Sequence, residues 1–188
     1  MDIQFYKYHG TGNDFIMIDG MNNHEIEDYL DQAKISHLCH RRFGIGADGL
    51  IILTPDQNSD FNMIYYNSDG RISSMCGNGS RCTVRFAHQL GYIGDVCRFK
   101  AIDGMHEGKV IEDNVSVLMS DVQSVDEDAG DFVLDTGSPH YIKFLDKIDE
   151  LEIIKEAHKI RYSDTYKKEG INVNFVSKND SYINVRTY

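Results

Sequence analysis

Cys76 is the residue best placed to do chemistry. It lies in Met75-Cys76-Gly77-Asn78-Gly79-Ser80-Arg81-Cys82, and Val84, Ala87 and Leu90 follow at helical spacing, with Gly91 as a stop. This spacing predicts a helix that begins at or just after Cys76. A thiol there meets unpaired backbone N–H groups and the positive end of the helix dipole. Both favour thiolate over thiol. Gly77 and Gly79 carry no Cβ, so backbone N–H groups can come close to an anion such as a carboxylate. Asn78 adds an amide. The pattern reads as a thiolate beside a carboxylate cradle. The competing reading is a buried structural cysteine at a glycine turn.

The other candidates carry less. Cys82 lies six residues on, about 600° around a helix and therefore on another face. Cys39 falls in a predicted helix and Cys97 in a predicted strand, and all three read as core or surface thiols. No CxxC pair or zinc-like spacing is present, so no metal site is expected. Gly10-Thr11-Gly12-Asn13-Asp14 lacks the Lys-Ser/Thr of a phosphate-binding loop, and Gly44-Ile45-Gly46 is weaker still; both read as tight turns. His140 follows Thr136-Gly137-Ser138-Pro139 in what reads as a loop. It is either a satisfied surface residue or a charge partner that tunes a thiol.

The elements around these residues are mixed, with more strand than helix. Ile3–Tyr8 and Phe15–Asp19 read as strands, Glu25–His40 as one helix, and Leu50–Leu53 and Phe61–Tyr66 as strands. Asn67-Ser68-Asp69-Gly70 is a turn, followed by a short strand from Arg71. Short strands and turns fill Val96–Met119. The acidic stretch Asp121–Asp131 reads as a solvated connection, which divides the chain into residues 1–120 and 121–188. Beyond it come strands at Phe132–Asp135 and Tyr141–Leu145. A helix is expected on Ile148, Leu151, Ile154, Ala157 and His158, then strands at Ile171–Ser177 and Tyr182–Tyr188. The last strand is either an edge strand closing a sheet or the end of an incomplete chain.

The 188 residues include 30 Asp and Glu against 19 Lys and Arg, a net charge of −11. That balance opposes a broad phosphate-binding face, so no nucleic-acid partner is expected. No run approaches the roughly 20 apolar residues of a bilayer span, and Met1-Asp2-Ile3-Gln4 shows no signal-peptide pattern. The four cysteines are then expected to be reduced, in a cytoplasmic protein.

Taken together, the motifs are specific. His9-Gly10-Thr11-Gly12-Asn13-Asp14-Phe15, Arg42-Phe43-Gly44-Ile45-Gly46-Ala47-Asp48-Gly49, Asn67-Ser68-Asp69-Gly70 and Met75–Cys82 resemble the diaminopimelate epimerase family in order and spacing. Gly137-Ser138-Pro139-His140 and Ile171-Asn172-Val173-Asn174-Phe175 continue the resemblance over essentially the whole chain. Proline racemases are similar around the cysteine but typically carry His where this chain has Asn78.

The resemblance implies an α/β (α+β) fold of two pseudo-symmetric halves, each a sheet wrapped around a central helix, with the substrate in the cleft between them. It implies cofactor-independent conversion of LL-diaminopimelate to the meso form, on the route to lysine, by a homodimer. Cys76 matches one of two acid/base thiols. Gly77 and Asn78 match the backbone cradle for the substrate α-carboxylate, and Asn13, Asn67 and Asn172 match substrate contacts. His140 matches a residue that modulates the thiol. Ser138 departs from a substrate-binding Asn found in many members, and Gly49 from a Gln contact made in some. In the family, the strand matching Val185–Tyr188 runs on to a second cysteine at the head of a second central helix. The resemblance therefore implies an incomplete second half, and a 188-residue chain that is inactive alone and exposes apolar surface. A proline- or hydroxyproline-type racemase and a non-catalytic half that binds small amino acids are the alternatives.

Overall fold

The computed structural model describes residues 2–23, 25–128 and 130–188. The chain forms two compact units, Met1–Met119 and Ser120–Tyr188.

Unit 1 begins with β1 (Phe5–Gly10) and β2 (Asn13–Asp19), then α1 (Ile26–Tyr29) and α2 (Gln32–Cys39). It continues through β3 (Gly49–Thr54), β4 (Phe61–Asn67), α3 (Gly77–Gln89), β5 (Val96–Ala101), β6 (Gly104–Ile111) and β7 (Asn114–Val117). The seven strands follow one another in chain order in a single sheet. β2–β3 and β4–β5 are parallel, and the other neighbours are antiparallel. α3 packs against β1, β2, β3, β4, β6 and β7, so the sheet curls around it.

The period-two rule explains the apolar runs. Phe15 and Met17 join Ile51 and Leu53 in a core beneath α3, while Ile16, Ile18, Leu50 and Ile52 face a second core with α1 and α2. Both faces are covered, so both parities must be apolar. Strand β5, between β4 and β6, is covered on one face only, and it alternates Cys97, Phe99 and Ala101 inward with exposed residues between them.

Several expectations need correction. The helix expected over 25–40 is two helices, because Asp31 adopts an extended conformation and its carboxylate accepts the Lys34 N–H at 2.8 Å. That bond caps a new helix and ends the old one. The strand expected from Arg71 reduces to a single bridge between Tyr66 and Ile72.

Unit 2 contains β8 (Val125–Asp128), β9 (Asp131–Asp135), β10 (Pro139–Phe144), α4 (Ile153–Arg161), β11 (Asn172–Lys178) and β12 (Ile183–Thr187). The sheet order is β12-β11-β10-β9-β8, with β10 and β11 parallel across α4. One face packs Tyr141, Val173 and Phe175 against Ala157 and Ile148. The opposite face leaves Phe132 36%, Phe144 52% and Val185 50% exposed.

The acidic stretch is not simply a connection. It contains edge strand β8, which pairs with β9. Asp131 is buried and accepts hydrogen bonds from Tyr141 Oη at 2.8 Å and Lys143 Nζ at 2.7 Å. His140 lies on β10 and not in a loop. α4 starts later than expected: Ile148 and Leu151 precede it, and Ile154 points outward.

Candidate active site

Cys76 is the N-cap of α3, with extended backbone at φ −123° and ψ 116°. Its Sγ accepts the Gly79 N–H at 3.5 Å and donates to Asn13 Oδ1 at 3.6 Å. The sulfur thus has a donor on one side and an acceptor on the other, as an acid/base group needs in its two protonation states. The Gly77 and Asn78 N–H groups follow at the helix head, where no preceding turn supplies acceptors.

The two glycines beside Cys76 play different roles. A Cβ on Gly77 would meet Arg81 and Met119 at 3.7 Å, an ordinary contact, so nothing in the packing requires glycine there. A Cβ on Gly79 would meet Ile51 Cδ1 at 3.1 Å, in the core. Gly79 therefore permits close packing of α3 on β3, and its N–H is already used by the sulfur. This corrects the expectation that both glycines open the backbone to a ligand.

Asn13 reaches the thiol because the β1–β2 hairpin is tight. Gly10 pairs with Asn13, and the two residues between them, Thr11 (φ 55°) and Gly12 (φ 89°), have positive φ, as a two-residue turn of this kind requires. The hairpin tip lies on the helix head, where a Cβ on Gly10 would sit 3.1 Å from Asn78 Cβ. Asn78 Nδ2 donates to Asn13 Oδ1 at 3.5 Å, and the Arg81 guanidinium donates to Asn78 Oδ1.

Asn13 is held from behind. Its Nδ2 donates to Asp48 Oδ2 at 3.0 Å. Arg41 Nη2 bridges Asp48 Oδ1 and Asp14 Oδ1, each at 2.7 Å, and Lys7 Nζ reaches Asp14 Oδ2 at 2.8 Å. Arg41, with Lys7, holds the Asp14 carboxyl well below the usual carboxylate range.

Asn67 ends β4, and its Oδ1 accepts from Tyr65 Oη at 3.1 Å. Burial and the nearby Cys76 push the Tyr65 hydroxyl upward. A Cβ on Gly49 would fall 2.5 Å from Tyr65 Cε2, so the glycine is a packing requirement of that ring. Cys39, Cys82 and Cys97 are all buried, and desolvation pushes each to about 11.

In unit 2, His140 and Asn172 meet at Ser138. Asn172 Nδ2 donates to Ser138 Oγ at 3.3 Å and Pro139 O at 3.2 Å, and His140 Nε2 lies 3.4 Å from the same Oγ. Burial lowers the His140 imidazole below its ordinary range.

The structure therefore brings Cys76, Gly77, Asn78 and Asn13 together, and separately His140 with Asn172. Asn67 is held by the Tyr65 hydroxyl. Sequence reasoning assigned no role to Asp48, Arg41, Tyr65, Arg81 or Asn174, although Asp48, Arg81 and Asn174 lie inside motifs it singled out. Among the described residues, no helix is long and apolar enough to cross a membrane, and no group of three or more His, Cys, Asp or Glu is arranged to hold a metal.

A family model described as diaminopimelate epimerase matches residues 5–125. The diaminopimelate epimerase of Flavobacterium psychrophilum is 48% identical over 188 residues, covering 99% of this chain and 73% of that protein. That of Aquifex aeolicus is 34% identical over 205 residues, with the same coverages of 99% and 73%. Among solved structures, a hydroxyproline epimerase from Agrobacterium vitis shares the fold at TM-score 0.64 and 14% identity, over 98% of this chain and 69% of that one. A PhzF-family phenazine biosynthesis protein from Bacillus anthracis also shares it, at TM-score 0.64 and 14% identity, over 100% and 72%. The protein is thus an isomerase of the epimerase kind. The chain belongs to the diaminopimelate epimerase family.

Proposed function

We propose that the protein acts on LL-diaminopimelate and inverts one α-carbon to give the meso form by proton transfer between two thiols, with Cys76 serving one face. The observation that carries this reading is Cys76 at the head of α3, its sulfur held between the Gly79 N–H and Asn13 Oδ1.

Inversion needs a base on one face of Cα and an acid on the other. Charge builds on the α-carboxylate as the proton leaves. The free Gly77 and Asn78 N–H groups and the helix dipole are suited to stabilise that charge without a cofactor. Asn13, Asn67 and Asn172 offer amides that both donate and accept, as a substrate with ammonium and carboxylate groups requires. His140 is buried enough to stay neutral near pH 7, a form that fits a modulating role. In this reading the enzyme is cytoplasmic and works as a homodimer.

The second thiol is not supplied by Cys39, Cys82 or Cys97, which are buried in the cores of unit 1. The 188-residue polypeptide alone is therefore expected to bind substrate without inverting it.

Two measurements on the purified chain test this. Diaminopimelate is expected to slow carboxymethylation of Cys76, and chiral chromatography is expected to show no meso product from the LL isomer. Equal modification of Cys76 with and without diaminopimelate would remove the site assignment. Normal turnover would remove the need for a second thiol.

A further inference from the structure

Asn174 has no part in the reaction described above, yet it is buried in the unit 2 sheet. It lies on β11, opposite Ile142 on β10 and Thr187 on β12. Its Nδ2 lies 3.1 Å from Tyr141 O and 3.4 Å from Asn172 O, both backbone carbonyls. Its Oδ1 accepts the Thr187 hydroxyl at 2.8 Å. Carbonyl oxygens on one side and a hydroxyl on the other leave the amide one orientation. A flip would set oxygen against oxygen.

The same Nδ2 lies 3.0 Å from His140 Nδ1. Nδ2 has two hydrogens, and its two shortest contacts, His140 Nδ1 and Tyr141 O, take them; Nδ1 therefore offers its lone pair, and the ring proton of a neutral imidazole sits on Nε2. Nε2 points at Ser138 Oγ, 3.4 Å away. Ser138 Oγ also receives Asn172 Nδ2 at 3.3 Å. With both lone pairs occupied, the Ser138 hydroxyl has only its proton left to offer.

We propose that Asn174, braced by Thr187, is a positioning residue that fixes His140 as the Nε2–H tautomer and thereby makes Ser138 an obligate donor, suited to a carboxylate. This inference rests on the epimerase reading only for the identity of that carboxylate. The tautomer stands on the hydrogen bonds alone. Burial opposes protonation of the ring, and Asp135 on β9 favours it.

Long-range proton–nitrogen spectra of the 15N-histidine-labelled 188-residue chain read the tautomer directly. The wild type is expected to show His140 as a single Nε2–H form. Asn174→Asp puts an acceptor where the donor was. It is expected to move the proton to Nδ1 and to raise the proton affinity of the ring about tenfold or more. Asn174→Leu, which keeps the volume and removes the donor, is expected to free Nδ1 and to produce a mixture of tautomers. Should Asn174→Asp fail to fold, Asn174→Leu and the wild-type spectrum still decide. An Nδ1–H wild type, or an Nε2–H form unmoved in both variants, would overturn the proposal. Loss of the epimerase reading shows differently: Cys76 would be unprotected by diaminopimelate, with the His140 tautomer unchanged.

Discussion

The two units place their polar groups by opposite means. In unit 1 a sheet wraps a helix, and the helix end carries the thiol. α3 is enclosed by six strands, and Val84, Phe86 and Ala87 along it are fully buried. In unit 2 the polar cluster is built into the strands themselves, on His140, Asn172 and Asn174, and α4 packs on the sheet's other face through Ala157. The thiol is thus fixed by the packing of a whole element, whereas the imidazole is fixed by hydrogen bonds between neighbouring strands. Packing holds position over a long lever. Hydrogen bonds also hold orientation and tautomer, which matter for an imidazole and not for a sulfur atom.

Paired truncations give the largest test of this contrast. Phe86→Ala removes a ring with no exposed surface that packs on Tyr6 and Tyr8. It is expected to cost about 3–5 kcal/mol in urea unfolding. Phe144→Ala, on the half-exposed face of unit 2, is expected to cost less than about 1 kcal/mol. Equal losses would mean that α3 is not the fixed element.

A smaller effect comes from the charge cluster behind Asn13. Asp14 has its carboxyl lowered in the folded protein by Arg41 and Lys7. Its contribution is therefore present above the unfolded carboxylate range and is lost as pH falls toward the folded value. Asp14→Asn is expected to cost about 1–2 kcal/mol at pH 7, and a progressively smaller amount as pH falls below about 4. A difference from wild type that does not shrink in acid would place the effect in packing instead.

Thiol chemistry sharpens the comparison further. Iodoacetamide followed by peptide mass spectrometry is expected to label Cys76 at least about tenfold faster than Cys39, Cys82 or Cys97, since burial keeps those three as thiols. The smallest effect belongs to the cap between α1 and α2. Asp31→Ala is expected to lower the melting temperature slightly through loss of the cap, with Cys76 labelling unchanged.

Local patterns made much of the fold legible. The runs at 15–18 and 50–53 announced strands, and the apolar spacing after Cys76 announced a helix head. The misreadings share a cause. Asp31 interrupts a good helical pattern through one side-chain bond, which propensity alone does not reveal. β8 carries Val125-Asp126-Glu127-Asp128, and at a sheet edge its backbone pairing to β9 needs no apolar alternation. Asp131 looks solvated in an acidic run, and its partners, Tyr141 and Lys143, come from another strand. The site divides in the same way. Cys76, Gly77 and Asn78 are contiguous and could be read directly. Arg41 and Asp48 reach the thiol only through Asn13, and Asn174 reaches His140 only through the pairing of β10 with β11.

The strand pair β2–β3 belongs to two cores at once. Neither layer of unit 1 can therefore melt while leaving the other intact, because stripping α1 and α2 from one face would put Leu50 and Ile52 in water beneath a helix still docked on the other. The residues that hold the thiol consequently inherit the cooperativity of the whole unit, and amide hydrogens in β3 should exchange with solvent only when all of it opens.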